Sequence, residues 1–431
     1  MIHYITTNGI GNPWVAAELR GMIDAGVPVT LHSMRDAGAH FFVAPWARQL
    51  NAETKLIYPL PLLKFVLAAL LAPFRFRSRF FACLANALFG ERESSRARVA
   101  SIAHVFVASY WATELAGLPV SLIHSQWIHS CGTIGMYGAW LLGVPFSFTG
   151  HAVDLFRDRV ALRDKIARAE FIVCISGFHR ALYLEYGAAP ERLITVHCGI
   201  DVDSFKFRQR IRLAEPAHII TLGRLVEKKG NRYLVDACRI LRDRGVRFRC
   251  TVAGDGPLTE SLRRQVEEDD LSGIVTVTGA PLLQEELAGF MQSGDIYVQP
   301  CVWSSDNDVD GTPRTLMEAM ACGVPSISTR IAGIPDIIED RRSGLLVPPN
   351  SSAALADAIQ QIIDDHALAE LLSRCGRQKI ERDFRLPDCL RPLEESFLLM
   401  LARGADREST EALSNARLDT RLRATIETGS R

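Results

Sequence analysis

This sequence has no net excess of charge of either sign: 49 Lys and Arg stand against 49 Asp and Glu in 431 residues. Nothing at the scale of the whole chain therefore calls for nucleic acid, whose partners carry a basic footprint. Any CxxC pair is missing too. The 10 cysteines are scattered, which speaks against a disulfide framework and a structural zinc and fits a reducing compartment. Cys83, Cys174, Cys250 and Cys322 sit among apolar neighbours and read as small buried hydrophobes. No apolar run reaches bilayer length: Phe65 to Ala72 is hemmed in by Pro61, Lys64 and Pro73, far short of the roughly 20 residues a spanning helix needs. Met1-Ile2-His3-Tyr4-Ile5 has neither a basic n-region nor a long apolar core, so a signal peptide is not expected. No metal-ligand cluster is evident, nor a carboxylate pair spaced for glycoside hydrolysis. Hydrophobic content of 48% and charged content of 23% are ordinary for a soluble globular chain, and the length calls for two domains.

What is present is alternation of strand and helix. Ile2 to Thr6 reads as a buried strand, followed by a glycine-bearing loop, a helix from about Trp14 to Ala25, and a strand from Val27 to His32. That order opens a doubly wound parallel sheet. Gly9 and Gly11 allow a ligand close to the backbone. The loop is not a dinucleotide fingerprint: Pro13-Trp14 take the place of the third glycine, and no acid ends the second strand. Further strands are expected at Val120 to Ser125, Phe146 to Thr149, Phe171 to Ser176 and Ile194 to Val196, with helices at Thr133 to Leu142 and from Gly177 to about Tyr186. His151 lies just past one strand end, where a ligand crevice opens in such sheets. A lone histidine is more often structural, and both readings stay open.

Residues 59–90 differ in texture. Phe74-Arg75-Phe76-Arg77-Ser78-Arg79-Phe80-Phe81 interleaves aromatics with arginines, and residues 64–98 carry seven basic side chains against Glu91 and Glu93. The segment suits an anionic membrane face or, equally, a packed helical hairpin with solvated arginines. Nucleic-acid binding fits the composition less well.

The second half restarts after a polar stretch at 201–216. Strands are expected at His218 to Leu222, Phe248 to Ala253, Ile274 to Thr278 and Asp295 to Pro300, making a second Rossmann-like domain. Arg224 and Lys229 flank the turn after its first strand, and such cations suit phosphate oxygens. The most informative stretch is Asp310 to Pro325. Thr312 reads as a helix N-cap, Pro313 as the first helical residue and Gly323 as the stop. The free N–H groups of Arg314, Thr315 and Leu316 would form an anion site. Asp310 and Glu318 flank it. Acids repel phosphate, so they would serve sugar hydroxyls. After Pro348-Pro349, helices run to about Ile380, Phe397 to Leu401 lie in a final helix, and the chain from Ala405 is expected to fray.

Gly223-Arg224-Leu225 with Lys228-Lys229-Gly230, Ala253 to Pro257, Asp310 to Ala321, Thr149 to Asp154, and the Ser176 to Asp201 block occur in an order and spacing that resemble the retaining, family-four glycosyltransferases of GT-B architecture. More loosely, His124 to Asp154 is similar to members that build exopolysaccharide or colanic-acid-type chains. The resemblance implies two Rossmann-like domains across a cleft: an acceptor-side domain at 1–200 with the 59–98 segment inserted, a linker at 201–216, a nucleotide-sugar domain at 217–385, a closing helix at 386–404 possible over the first domain, and a tail at 405–431. It implies a hexose moved from a UDP- or GDP-sugar to a saccharide or lipid-linked acceptor. Arg224, Lys229 and the helix start at Arg314 to Leu316 would hold the diphosphate. Glu318 would hold the ribose, and Val277 to Leu283 with Thr278 the base. Asp310 and His151 would reach the donor sugar, and Gly9, Gly11, Gly223, Gly311, Thr312 and Pro313 would line the site. No cofactor and no metal are implied, and the expected place is the cytoplasm, at the inner membrane face. The chain departs from the family at Asp310, where a glutamate is usual, at Cys198, where an asparagine is usual, and in its first loop. A sugar-nucleotide epimerase and a degenerate nucleotide-sugar-binding protein are the alternatives.

Overall fold

The computed structural model describes residues 1–38, 44–157, 159–210 and 212–406. Its first half is built on β1 (Ile2–Thr6), β2 (Val29–Ser33), β3 (Lys55–Leu56), β4 (Leu122–Gln126), β5 (Phe146–Thr149), β6 (Phe171–Cys174) and β7 (Leu193–Thr195). Helices α1 (Pro13–Asp24), α2 (Pro45–Glu53), α3 (Leu62–Phe76), α4 (Ser78–Phe89), α5 (Ser95–Leu115), α6 (Ser130–Leu142), α7 (Leu162–Arg168) and α8 (Gly177–Glu185) cover it. The strands pair in the order β3-β2-β1-β4-β5-β6-β7, all parallel. Sheets covered on both faces need apolar strands rather than alternating ones, and every residue of β1, β4, β5 and β6 is buried.

The second half repeats the plan with β8 (Ala217–Leu222), α9 (Asn231–Asp243), β9 (Phe248–Ala253), α10 (Thr259–Glu268), β10 (Val275–Val277), α11 (Leu287–Ser293), β11 (Ile296–Gln299), α12 (Arg314–Ala321), β12 (Ser326–Thr329), α13 (Ile334–Ile337), β13 (Leu345–Val347), α14 (Ser352–Asp364) and α15 (His366–Asp383). The sheet order is β10-β9-β8-β11-β12-β13, again parallel. In each sheet the order reverses beside the first strand, between β1 and β4 and between β8 and β11. Ligand crevices open past the strand ends at such points. The expected two-sheet GT-B architecture is what the chain forms.

A last helix, α16, is described over residues 386–406. Leu390, Leu393, Phe397 and Met400 join the core of the first sheet, and Arg403 reaches Glu170 at 2.7 Å. The chain thus returns to the domain where it began. Ala405 and Asp406 are helical, and the rest of the expected tail, from 407, lies outside the described residues. The 201–216 stretch is not loose where it is described. Val202 and Phe205 are buried in the second domain, and the Arg210 guanidinium donates to the carbonyls of Gln292 and Gly294.

Candidate functional site

The two crevices face each other and share a cavity of about 480 Å³. One wall comes from the second domain. The turn after β8 carries Lys228 and Lys229 into it, and two glycines make that turn feasible. Gly230 has φ +67°, and a Cβ there would stand 1.8 Å from the Pro300 carbonyl oxygen; at Gly223 a Cβ would press on Lys229 Cε at 3.1 Å. Both positions need the missing side chain. Lys229 Nζ lies 2.5 Å from Asp310 Oδ2, and Lys228 Nζ 2.8 Å from Asp308 Oδ2. Burial alone would raise the Asp310 carboxyl, but the Lys229 ammonium outweighs it and holds the carboxyl below its ordinary range. Burial likewise opposes charge on Lys229, and Asp310 again outweighs it, so the amine is held above its ordinary value. Both groups are ionised at neutral pH.

Gln299, at the end of β11, organises the floor. Its Oε1 accepts from Tyr297 Oη at 2.7 Å and Thr315 Oγ1 at 2.8 Å, and its Nε2 lies 3.5 Å from Asp310. α12 starts beside it, one residue later than expected. Pro313, extended at ψ 113°, is the capping residue, and no side chain caps the helix. Thr312 is therefore too far out to cap, and its hydroxyl turns to Cys198 of the first domain. Leu316 is buried and its N–H is used by the Pro313 carbonyl at 3.1 Å, which leaves Arg314 and Thr315 as the free donors of the helix start. Arg314 Nε lies 3.8 Å from Glu318 Oε1, and its Nη1 is buried without a hydrogen-bond partner. Burial raises the Glu318 carboxyl, with Arg314 opposing.

The other wall is aromatic. Trp14, Trp127, His129, His151 and His179 line it, with Thr7, Asn8 and Asn12 from the first loop. The His151 ring sits 5.2 Å from Trp127 and 5.9 Å from Trp14, centre to centre. Asp154 holds this corner. Its carboxylate accepts the His151 N–H at 2.8 Å and the Ile128 N–H, tying the loops after β4 and β5 together. Burial pushes the Asp154 carboxyl up to about 7 and His151 down to about 3, so His151 is a neutral imidazole. Its Nε2 is buried without a partner, as is that of His179. His179 Nδ1 lies 2.7 Å from Ser176 Oγ, which already accepts the His179 N–H as helix cap. The hydroxyl proton is then free to go to Nδ1, which leaves Nε2–H as a donor to the cleft.

The sequence-predicted residues divide. Lys229, Asp310, Gly311, Thr312, Pro313, Arg314, Thr315 and His151 converge on the cavity. Gly9 and Gly11 sit behind their neighbours in the first loop, and Gly9 N–H donates to Ser33 Oγ at 2.6 Å. Gly223 shapes the Lys229 turn from behind, and Glu318 acts through Arg314. Thr278 lies off the cavity and receives the Gly254 N–H at 3.1 Å. Arg224 is exposed and does not line the cavity. Trp127, His129, His179 and Gln299 were missed. The strand-end rule that found His151 reaches Trp127 and His129, just past β4, and Gln299, the last residue of β11. Nothing in the spacing marks His179. Among the described residues no group of three or more His, Cys, Asp or Glu is placed to hold a metal ion.

Two facing Rossmann-like domains with a charged phosphate-ready wall define the GT-B class. Residues 216–365 match the family model described as "Glycosyl transferases group 1", and residues 94–204 the model "Glycosyltransferase Family 4". It is 35% identical over 219 residues to the putative colanic acid biosynthesis glycosyltransferase WcaL of Escherichia coli, covering 50% of this chain and 53% of that one. To the amylovoran biosynthesis glycosyltransferase AmsK of Erwinia amylovora it is 31% identical, covering 57% and 61%. The chain thus matches little more than half the length of these curated relatives. Among solved structures, Anabaena HepE in complex with UDP and glucose aligns with TM-score 0.64 at 17% identity, covering 92% of this chain and 99% of that one. Sucrose-phosphate synthase of Thermosynechococcus elongatus aligns at 0.68 and 17%, covering 93% and 99%. At that identity the likeness is one of fold.

Proposed function

We propose that this protein is a retaining glycosyltransferase. It moves a hexose from a nucleoside-diphosphate sugar to a saccharide or lipid-linked acceptor in polysaccharide biosynthesis, working from the cytoplasm at an anionic membrane face. The observation that carries the reading is the convergence of Lys229, Lys228 and the α12 start on one cavity. Transfer makes a leaving nucleoside diphosphate, and fixed donors aimed at its growing charge lower the barrier. Lys229 and the Arg314 and Thr315 N–H groups supply that stabilisation. Asp310 holds the ammonium in place and presents its remaining oxygen to a sugar hydroxyl. Glu318 steers Arg314, and His151 offers an uncharged polar edge to the sugar between two indoles. With two lysines at the diphosphate, no metal is needed. The UDP and glucose held by the HepE structure support a nucleotide-sugar donor.

Calorimetric titration of UDP, GDP and ADP, with and without their sugars, into wild type and Lys229→Ala tests the site. One tight binder weakened by the substitution supports the reading and gives the donor class. Binding of none of them overturns it. Transfer should persist in EDTA, and complete loss there would reject the lysine argument.

A further inference from the structure

The long helix α3 is apolar on two faces. Phe65, Ala68, Ala72 and Phe76 turn inward to the first-domain core. On the opposite side Leu63, Leu67, Leu70 and Phe74 follow one another at helical spacing and are 83, 54, 66 and 78% exposed. Leu62, Val66 and Leu71 flank them, and α4 adds Phe81, Leu88 and Phe89, all exposed. A helix apolar all round is ordinarily buried all round. An outer stripe of this size on one element marks a docking surface rather than scattered surface residues. No helix among the described residues is long and apolar enough to cross a membrane.

Charge decides what docks. From Thr54 to Gly90 there is no Asp or Glu, while Lys64, Arg75, Arg77 and Arg79 are exposed. Arg79 donates to the Leu141 carbonyl at 3.3 Å; Lys64, Arg75 and Arg77 make no ion pair among the described residues. A second copy on this face would bring like charges together, because a two-fold contact pairs a patch with itself. An anionic lipid surface satisfies both features at once. The base of the hairpin is rigid: Arg92 pairs with Asp164 at 2.6 Å, and Glu93 accepts the N–H groups of Ala161 and Leu162.

We propose that the α3–α4 hairpin is a membrane-inserting element, its Leu63–Leu67–Leu70–Phe74 stripe entering the acyl boundary of an anionic leaflet while Lys64, Arg75 and Arg77 meet the phosphates. It deepens the membrane-face reading above, because it names the element and adds burial to charge attraction.

The test is partition of the full-length protein onto phosphatidylcholine vesicles with and without phosphatidylglycerol, with no sugar donor present. Wild type should bind the anionic vesicles and keep part of that binding at about 1 M salt, where screening removes the Coulomb share but not the apolar one. The triple variant Leu63→Glu, Leu67→Glu, Leu70→Glu should lose about a hundredfold or more of the partition, with unchanged thermal midpoint and nucleoside-diphosphate binding. Arg75→Glu with Arg77→Glu should lose about tenfold on anionic vesicles only. A triple variant that binds like wild type overturns the proposal. So does a wild type that ignores vesicles while self-associating through the stripe, or one that transfers sugar to a soluble acceptor yet never binds lipid. A protein that binds vesicles as stated but transfers nothing supports the hairpin and sinks the transferase reading alone.

Discussion

The two walls of the cleft solve different problems. The second-domain wall is ionic: it carries the pairs Lys229 with Asp310, Lys228 with Asp308 and Arg314 with Glu318. The first-domain wall is aromatic: two indoles and three imidazoles, with the Nε2 atoms of His151 and His179 buried without partners. For the transfer proposed above, charge would thereby be kept beside the leaving group, and stacking and hydrogen-bonding groups would be left for sugar and acceptor. The contrast extends into the bodies of the domains. His3, His32, His104, His124, His151 and His179 are all pushed down by burial, to between about 3 and about 4, and all six belong to the first domain.

The largest effect expected from that contrast is acid lability of one domain. As pH falls below the ordinary histidine value of about 6.5, the unfolded chain takes up protons that these six imidazoles refuse when folded, so stability falls through the window down to about 4. Glu18 and Asp154, raised by burial to about 7, act in the opposite sense, since the folded chain holds their protons there first, but they are two against six. In the second domain the Asp310 and Asp383 carboxyls are held low and lose their contribution only below about pH 4. Hydrogen exchange resolved by segment, from pH 7 to pH 4, should show β1, β4 and β5 losing protection before β8 and β11. Simultaneous loss would contradict the assignment.

Within the cleft, Lys229→Ala should cost most. Removing one preorganised donor costs roughly 2.7–4 kcal/mol of barrier, about a hundredfold or more in turnover, and the orphaned Asp310 carboxylate adds repulsion toward phosphate. A near-normal turnover number would exclude Lys229 from the chemistry. His151→Ala should lower turnover by about tenfold to a hundredfold while leaving the affinity for free nucleoside diphosphate unchanged, because in the proposed site that ligand would rest on the opposite wall. His179→Ala should cost about tenfold on the same pattern. His179→Gln, which can place an N–H near the same point, should recover most of it, and equal losses in both variants would mean that the ring matters for packing alone.

The legibility of the chain follows the same division. In the second domain the site is local: a glycine-bracketed turn places Lys229, and Asp310 to Thr315 is one short loop, so seven cavity residues were within reach of spacing. The helix start was misplaced by one residue, since Pro313 in an extended conformation moved it past Thr312, and Arg224 and Thr278 lie off the cavity. The Thr312 hydroxyl turns instead to Cys198 of the first domain, a cross-domain contact that no local pattern carries. The first wall is assembled from strand ends and two helices. Trp14, Trp127, His151 and His179 are brought together only by strand order, and strand order was not readable from alternation. Burial of both sheets was readable, because parallel strands covered on two faces need continuous apolar runs. The outer stripe of α3 was hidden for the same reason: an apolar run in sequence does not say which side another helix covers.

The smallest effect is expected at Arg224, and it sharpens what makes a wall. Arg224 and Lys229 read alike in sequence, two cations on one turn. In the structure Lys229 is locked by Asp310 and sheltered, whereas Arg224 is exposed and outside the cavity. A guanidinium recruited from solvent must surrender up to about 2 kcal/mol of rotamer freedom, which offsets most of what a charge-assisted bond to phosphate, about 1.5–3 kcal/mol, would contribute. Arg224→Ala should therefore weaken nucleoside-diphosphate binding by about tenfold or less, with the loss shrinking as salt rises, since exposed charges are screened. Lys229→Ala should show a smaller salt dependence, because Lys229 and Asp310 are only 14 and 21% exposed. If the two variants prove equal in size and in salt response, the preorganisation of the second-domain wall is not what gives it its strength.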